Sequence, residues 1–166
     1  MGRLKNFSNK AGTHFLTANT SSGRNLLQNA QWAELLEDVL FEYRDAGEYQ
    51  VHHYVMMPNH VHLLATTQKA PSPCKIVQLI KGRFSYELKK GFGVARSPWQ
   101  EGFAGRQIWT SDEFRAAARY IEENPVKGRR CESAEQYPFS SANGRRALDP
   151  MPEFGAKAPT GRGVAV

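Results

Sequence analysis

Apolar residues along this chain change period several times, and each change marks an element. Trp32, Leu35, Leu36, Val39, Leu40 and Tyr43 fall at i, i+3, i+4, i+7, i+8 and i+11, the stripe of an amphipathic helix that Gly47 ends. Ahead of it, His14 to Ala18 is a short strand candidate. Tyr49 to Met57 is rich in Val, Tyr and Met, and His60 to Thr67 alternates. Pro58-Asn59 between them is a turn signal, so the two segments predict a β-hairpin. Pro71-Ser72-Pro73 then breaks the chain before a second helix, with Ile76, Val77, Ile80, Phe84 and Leu88 as its stripe and Gly91 and Gly93 at its close.

The Gly-interrupted stretch from Trp99 to Trp109 has room for one or two short strands. Ser111-Asp112-Glu113 opens a third helix, with Phe114, Ala117, Ala118 and Ile121 as its buried stripe, expected to stop near Asn124 because Pro125 follows. The order β-α-β-β-α-β-α predicts an α+β, ferredoxin-like fold, an antiparallel sheet with helices packed on a face. Residues 1–12 and 144–166 lack apolar periodicity and are expected to be flexible, the second a basic tail, which leaves one domain over 13–143.

Charge narrows the partner. Against 16 Asp plus Glu stand 22 Lys plus Arg, a net charge of +6, which favours a polyanion such as nucleic acid. Two cysteines, Cys74 and Cys131, give neither a disulfide framework nor a thiolate zinc site, and fit a reducing compartment. No apolar h-region follows the N-terminus, and no stretch approaches the roughly 18 apolar residues of a membrane span, so the expected location is the cytoplasm, beside the nucleoid.

His60-Val61-His62 is the first candidate for chemistry. Side chains alternate along a strand, so two histidines two apart share a face and can chelate one metal ion while Val61, Leu63 and Ala65 point to the core. In isolation such a pair is more often two unconnected surface histidines. The second candidate is on the third helix, where Tyr120 and Asn124 lie one turn apart beside the buried stripe. Alone, Tyr120 reads as an aromatic flanking the core and Asn124 as a helix-terminal residue before proline. Together the four supply what a phosphodiester transesterification needs: a nucleophile, and ligands for a cation that offsets developing charge. Two imidazoles and an amide oxygen suit Mg2+ or Mn2+ better than a closed zinc site.

The segment Tyr54-Val55-Met56-Met57-Pro58-Asn59-His60-Val61-His62-Leu63-Leu64 strongly resembles the HUH segment of single-tyrosine transposases. Lys81-Gly82-Arg83-Phe84-Ser85-Tyr86 resembles that family's second-helix signature, and Pro98-Trp99-Gln100 its tryptophan segment. Tyr120-Ile121-Glu122-Glu123-Asn124-Pro125-Val126-Lys127 is similar to its nucleophile helix, and Tyr137-Pro138-Phe139-Ser140-Ser141 to its closing motif. The blocks come in the family's order over roughly residues 13–142, and the branch they most resemble is the REP-associated tyrosine transposases.

The resemblance implies single-strand cleavage and rejoining of hairpin-bearing DNA through a 5′-phosphotyrosine. Tyr120 would be the nucleophile, and His60, His62 and Asn124 the ligands of a divalent ion, with Glu123 as a competitor for the third place. Two departures stand out: His53, read as structural, and Ala104-Gly105-Arg106-Gln107, which lacks the acidic or histidine residue expected there.

Lys75, Lys81, Arg83 and Lys89 on the second helix, with Lys127, Arg129 and Arg130 after the third, are candidates to track a phosphate backbone. Trp99, Phe103 and Trp109 are candidates to stack on unpaired bases. Arg145 and Arg146 could clamp a hairpin, although a loose basic tail is the simpler view. A monomer is expected, with a homodimer sharing the tyrosine helix as the alternative. The competing functions are a palindromic-DNA or structured-RNA binding module that has lost strand transfer, and a metal-dependent hydrolase that uses water in place of Tyr120.

Overall fold

In the computed structural model, which describes residues 9–155, the elements run β1 (Thr13–Asn19), α1 (Ala30–Asp45), β2 (Tyr49–Met57), β3 (His60–Thr67), α2 (Pro73–Phe92), β4 (Ala104–Ile108) and α3 (Ser111–Lys127). The strands form one antiparallel sheet in the order β2-β3-β1-β4, the ferredoxin-like arrangement that the element order predicts. Only one strand, β4, forms in the stretch between Trp99 and Trp109.

Alternation along the strands divides the apolar residues between two cores. Leu16, Val61, Leu63, Ala65, Val51, Tyr54 and Met56 pack against Leu36, Leu40, Ile76, Ile80 and Phe84 of α1 and α2. On the opposite face, Val55, Met57, Leu64 and Ile108 pack against Phe114, Ala117, Ala118 and Ile121 of α3. Helices therefore cover both faces. The sequence pattern, which places helices on a face without saying which, is completed by this sandwich.

Two helix ends differ from expectation. α2 runs through Gly91 to Phe92, and Gly93 closes it in the left-handed conformation at φ 66°, where glycine carries no Cβ penalty. α3 continues past Pro125 to Lys127. Its last turn is closed by Gly128 N–H to the Asn124 carbonyl at 2.9 Å and Arg130 N–H to the Pro125 carbonyl at 2.8 Å, bonds that do not need the missing proline N–H. At the other end Thr110 caps the helix, its hydroxyl accepting from Glu113 N–H at 3.1 Å.

The buried face of α1 is rotated from its apparent stripe: Phe41 and Glu37 are buried, whereas Trp32, Leu35 and Tyr43 are only partly so. Tyr54 of β2 meets Phe41 edge-on at 5.5 Å and donates to Glu37 at 2.7 Å, and the segment after 143 covers the same two residues. Arg146 bonds Glu37 at 3.1 Å, pairs with Asp38, and lays its guanidinium 5.3 Å from the Phe41 ring centroid. Asp149 accepts two bonds at 2.9 Å from Arg44 and donates its own N–H to the Val51 carbonyl at 2.8 Å, and Phe154 reaches Phe114. Part of the expected loose tail is therefore in contact with the fold: Arg145, Arg146 and Asp149 meet charged partners on α1 and the edge of β2, and Phe154 meets α3. Gly12 is likewise tied to Thr67. The remaining parts of the expected flexible ends, 1–8 and 156–166, lie outside the described residues.

Candidate active site

β3 presents His60 and His62 on the α3 side of the sheet, with ring centroids 4.7 Å apart. Val61, Leu63 and Ala65 face the other core as the alternation requires. α3 lays Tyr120 over this strip: its ring centroid is 5.4 Å from that of His62, and the residue is 47% exposed. Phe15 of β1 stacks on His62 at 5.2 Å and meets Tyr120 edge-on at 5.8 Å. A tyrosine that is open to solvent on one side and held against an imidazole on the other can be approached by a bulky substrate. Tyrosine and histidines meet within one polypeptide.

Each histidine has one ring nitrogen occupied. His60 Nδ1 is 2.7 Å from the Asn59 side-chain oxygen; an amide oxygen only accepts, so the imidazole proton sits on Nδ1 and Nε2 keeps its lone pair. The Thr17 hydroxyl stands 2.7 Å from His62 Nδ1 and can hold that ring in the same tautomer. Thr17 is the register partner of His62 across the β1–β3 ladder, which is why the two meet. Burial pushes the His60 imidazole below its ordinary range, and burial together with the His60 neighbour lowers His62 to about 3. Neutral rings with unprotonated Nε2 atoms are the state that ligates metal. The two imidazoles are a partial donor set: among the described residues no third His, Cys, Asp or Glu joins them, so a divalent cation there would take its other ligands from amide, water or phosphate oxygens.

Asn124 follows Tyr120 by one turn, half-buried. The acidic residues beside it are engaged elsewhere: Glu123 pairs with Lys127 at 2.7 Å, and Glu122 with His53 Nδ1 at 3.0 Å. His53, read from the sequence as structural, has packing partners. At a β-bulge near Val51 and His53 in β2, it touches Phe114 and ties α3 to the sheet. Gly128 lets the end of α3 sit close to β2, since a Cβ there would lie 3.1 Å from the Met57 methyl.

The basic candidates separate into two groups. Lys127 places its ammonium 6.0 Å from the Tyr120 ring centroid, and Arg129 and Arg130 follow it, exposed. Lys75, Lys81, Arg83 and Lys89 are on α2, behind the sheet from Tyr120. Lys81 donates to the carbonyls of Gln100 and Gly102 at 2.8 Å each, and Arg83 pairs with Glu87 at 2.9 Å, so both already hold the fold. A groove of about 610 Å³ opens between α2 and residues 97–103 on that side, away from the histidines.

Trp99, a candidate stacking platform, is placed in the core. It is 6% exposed, packs on Phe84, and donates its indole N–H to the Lys81 carbonyl at 3.2 Å. Arg145 and Arg146 are corrected too, since they are paired with Glu34, Glu37 and Asp38. Sequence reasoning missed Phe15, Thr17, Asn59 and Arg106. Asn59 was legible only as a turn residue, and the other three reach the site through strand register.

Residues 10–124 match the family model for IS200-like transposases, a span that includes both histidines, Tyr120 and Asn124. The chain belongs to this family of transposases, which are DNA-processing enzymes. It is similar to the REP-associated tyrosine transposase of Escherichia coli (strain K12), 26% identical over 144 residues that cover 85% of this chain and 82% of that protein. A solved structure of a REP-associated tyrosine transposase bound to a REP hairpin shares the fold: TM-score 0.70 at 22% identity, covering 99% of this chain and all of that one. Among the described residues, no helix is long and apolar enough to cross a membrane.

Proposed function

We propose that this transposase cuts and rejoins single-stranded, hairpin-bearing DNA through a covalent bond to Tyr120. The observation that carries the proposal is the Tyr120 ring 5.4 Å from His62, beside two histidines whose Nδ1 atoms are occupied and whose Nε2 atoms are left for a ligand. Tyr120 Oη attacks the scissile phosphorus, an O–P bond forms, and the P–O3′ bond breaks. The tyrosine proton is lost to solvent and the leaving 3′-oxygen takes one up. A second 3′-hydroxyl later attacks the phosphotyrosine, resealing the strand and returning the phenol. The bond energy is conserved in the adduct, which hydrolysis by water would discard.

His60, His62 and Asn124 would hold the divalent cation, Mg2+ or Mn2+, which when bound supplies Lewis-acid polarisation of the phosphate. Asn59 and Thr17 fix the imidazoles, Phe15 buttresses both His62 and Tyr120, and Lys127, Arg129 and Arg130 give positive charge at the end of α3. The hairpin carried by the structural relative supports a hairpin substrate here. Tyr120 and the histidines meet within one chain, which supports a monomer as the working unit.

Labelled single-stranded hairpin DNA, incubated with protein and Mg2+ or Mn2+ and run on a denaturing gel, tests this. A protein-linked band is expected, absent with Tyr120→Phe and absent with chelator. Binding without an adduct under every condition would make the protein a recognition module, and cleavage that survives Tyr120→Phe would make water the nucleophile.

A further inference from the structure

The floor beside the histidines continues across two more strands. His62 of β3 is in register with Thr17 of β1, and Thr17 with Ala104 of β4; Leu64, Phe15 and Arg106 form the next row on the same face. β3 and β4 are therefore separated by one strand, about 10 Å from end to end of the row. Ala104 leaves the β4 end of the first row low, and Arg106 rises at the end of the second.

Arg106 is exposed, and its guanidinium carbon stands 5.5 Å from the Phe15 ring centroid. It leans inward over β1, toward the ring that stacks on His62 and touches Tyr120. Among the described residues no carboxylate pairs with it. A guanidinium laid on an aromatic face keeps its N–H edge free, and the stacking restrains the long side chain in advance of binding. A planar fork of donors in that state matches the non-bridging oxygens of a phosphodiester.

We infer that Arg106 is a DNA-positioning residue: it grips a backbone phosphate in the single-stranded flank of the hairpin, next to the bond that Tyr120 attacks. The inference rests on the proposed reading that this face receives DNA. It assigns a role within Ala104-Gly105-Arg106-Gln107, the segment whose departure from the family pattern left its contacts undefined. Ala104 clears the floor for the strand, and Arg106 fixes it; Gly105, opposite Leu16, belongs to the other face.

The test is binding without metal, so that it reads independently of cleavage. Hairpin DNA with a single-stranded flank is titrated by fluorescence anisotropy in chelator against wild type, Arg106→Gln and Arg106→Lys, with thermal unfolding confirming that each is folded. Loss of one phosphate contact is expected to raise Kd about tenfold in Arg106→Gln and to reduce the salt slope by about 1, with partial recovery in Arg106→Lys. A scan of single methylphosphonates along the flank is expected to find one position whose neutralisation weakens wild type but leaves Arg106→Gln unaffected. Unchanged Kd and slope in Arg106→Gln, or a methylphosphonate pattern identical in both proteins, overturns the role, as does a sensitive position in the stem. Absence of a covalent adduct in wild type would sink the transposition chemistry while leaving this measurement readable.

Discussion

The Thr17 hydroxyl stands 2.7 Å from His62 Nδ1, and the pairing follows from strand register, Thr17 opposite His62. It is the counterpart of the Asn59 oxygen on His60, so each imidazole is held by a neighbour of a different kind. Removing such a partner typically weakens metal binding by about 10–100-fold. Thr17→Val, nearly the same shape, is expected to raise the Mn2+ concentration for half-maximal adduct formation by that order while leaving the maximum adduct yield reachable. An unchanged metal requirement would contradict the orienting role.

The segment after 143 is expected to be part of the folded unit. Glu37 is fully buried and bonds the Tyr54 hydroxyl at 2.7 Å as well as Arg146. Arg146→Ala leaves that carboxylate only the longer contact to Arg145, at 3.7 Å; because Arg146 is partly exposed, about 1–3 kcal/mol of lost stability is expected. Urea unfolding of the variant measures it. A value within about 0.5 kcal/mol of wild type, the usual range for a surface change, would return the segment to a loose tail.

Trp99 separates a core role from a DNA role. Trp99→Ala removes a ring packed on Phe84 and is expected to cost about 3–5 kcal/mol of stability. At a temperature where the variant stays folded, its hairpin affinity is expected to match wild type. Reduced affinity with unchanged stability would restore the stacking role.

Acid is expected to destabilise the fold. Burial holds His52, His53, His60 and His62 below the ordinary imidazole range, His62 down to about 3. Unfolded, the four titrate near about 6.5. Above that pH both states are neutral; below it the unfolded chain takes up protons that the folded chain does not, so stability falls as pH drops from about 6.5 toward 3. The urea midpoint is expected to be lower at pH 5.5 than at pH 7.5 at constant ionic strength, and equal midpoints would contradict the burial of these rings.

Much of this was written in the sequence where a local rule governs. The hairpin at Pro58-Asn59, the shared face of His60 and His62, and the α3 stripe all follow from the period of a single element. What was illegible depends on contacts distant in the chain. Arg145 and Arg146 look like free charge until Glu37 and Asp38 are brought beneath them. Trp99 looks like a stacking platform until it is seen to pack on Phe84. Phe15, Thr17 and Arg106 carry no motif, and only the β3-β1-β4 register brings them to the histidines. Pro125 was a misleading stop signal, because the last turn of α3 closes on bonds that do not use its nitrogen.

The most direct test of the central claim is to locate the covalent bond. Protein incubated with hairpin DNA and Mn2+ is digested with nuclease and with trypsin, which cuts after Arg119 and Lys127 and releases the peptide Tyr120–Lys127. Mass spectrometry is expected to find this peptide carrying a nucleotide joined through its 5′-phosphate to Tyr120. Cleaved DNA with an unmodified Tyr120 peptide, or a nucleotide attached to another residue, would contradict the account.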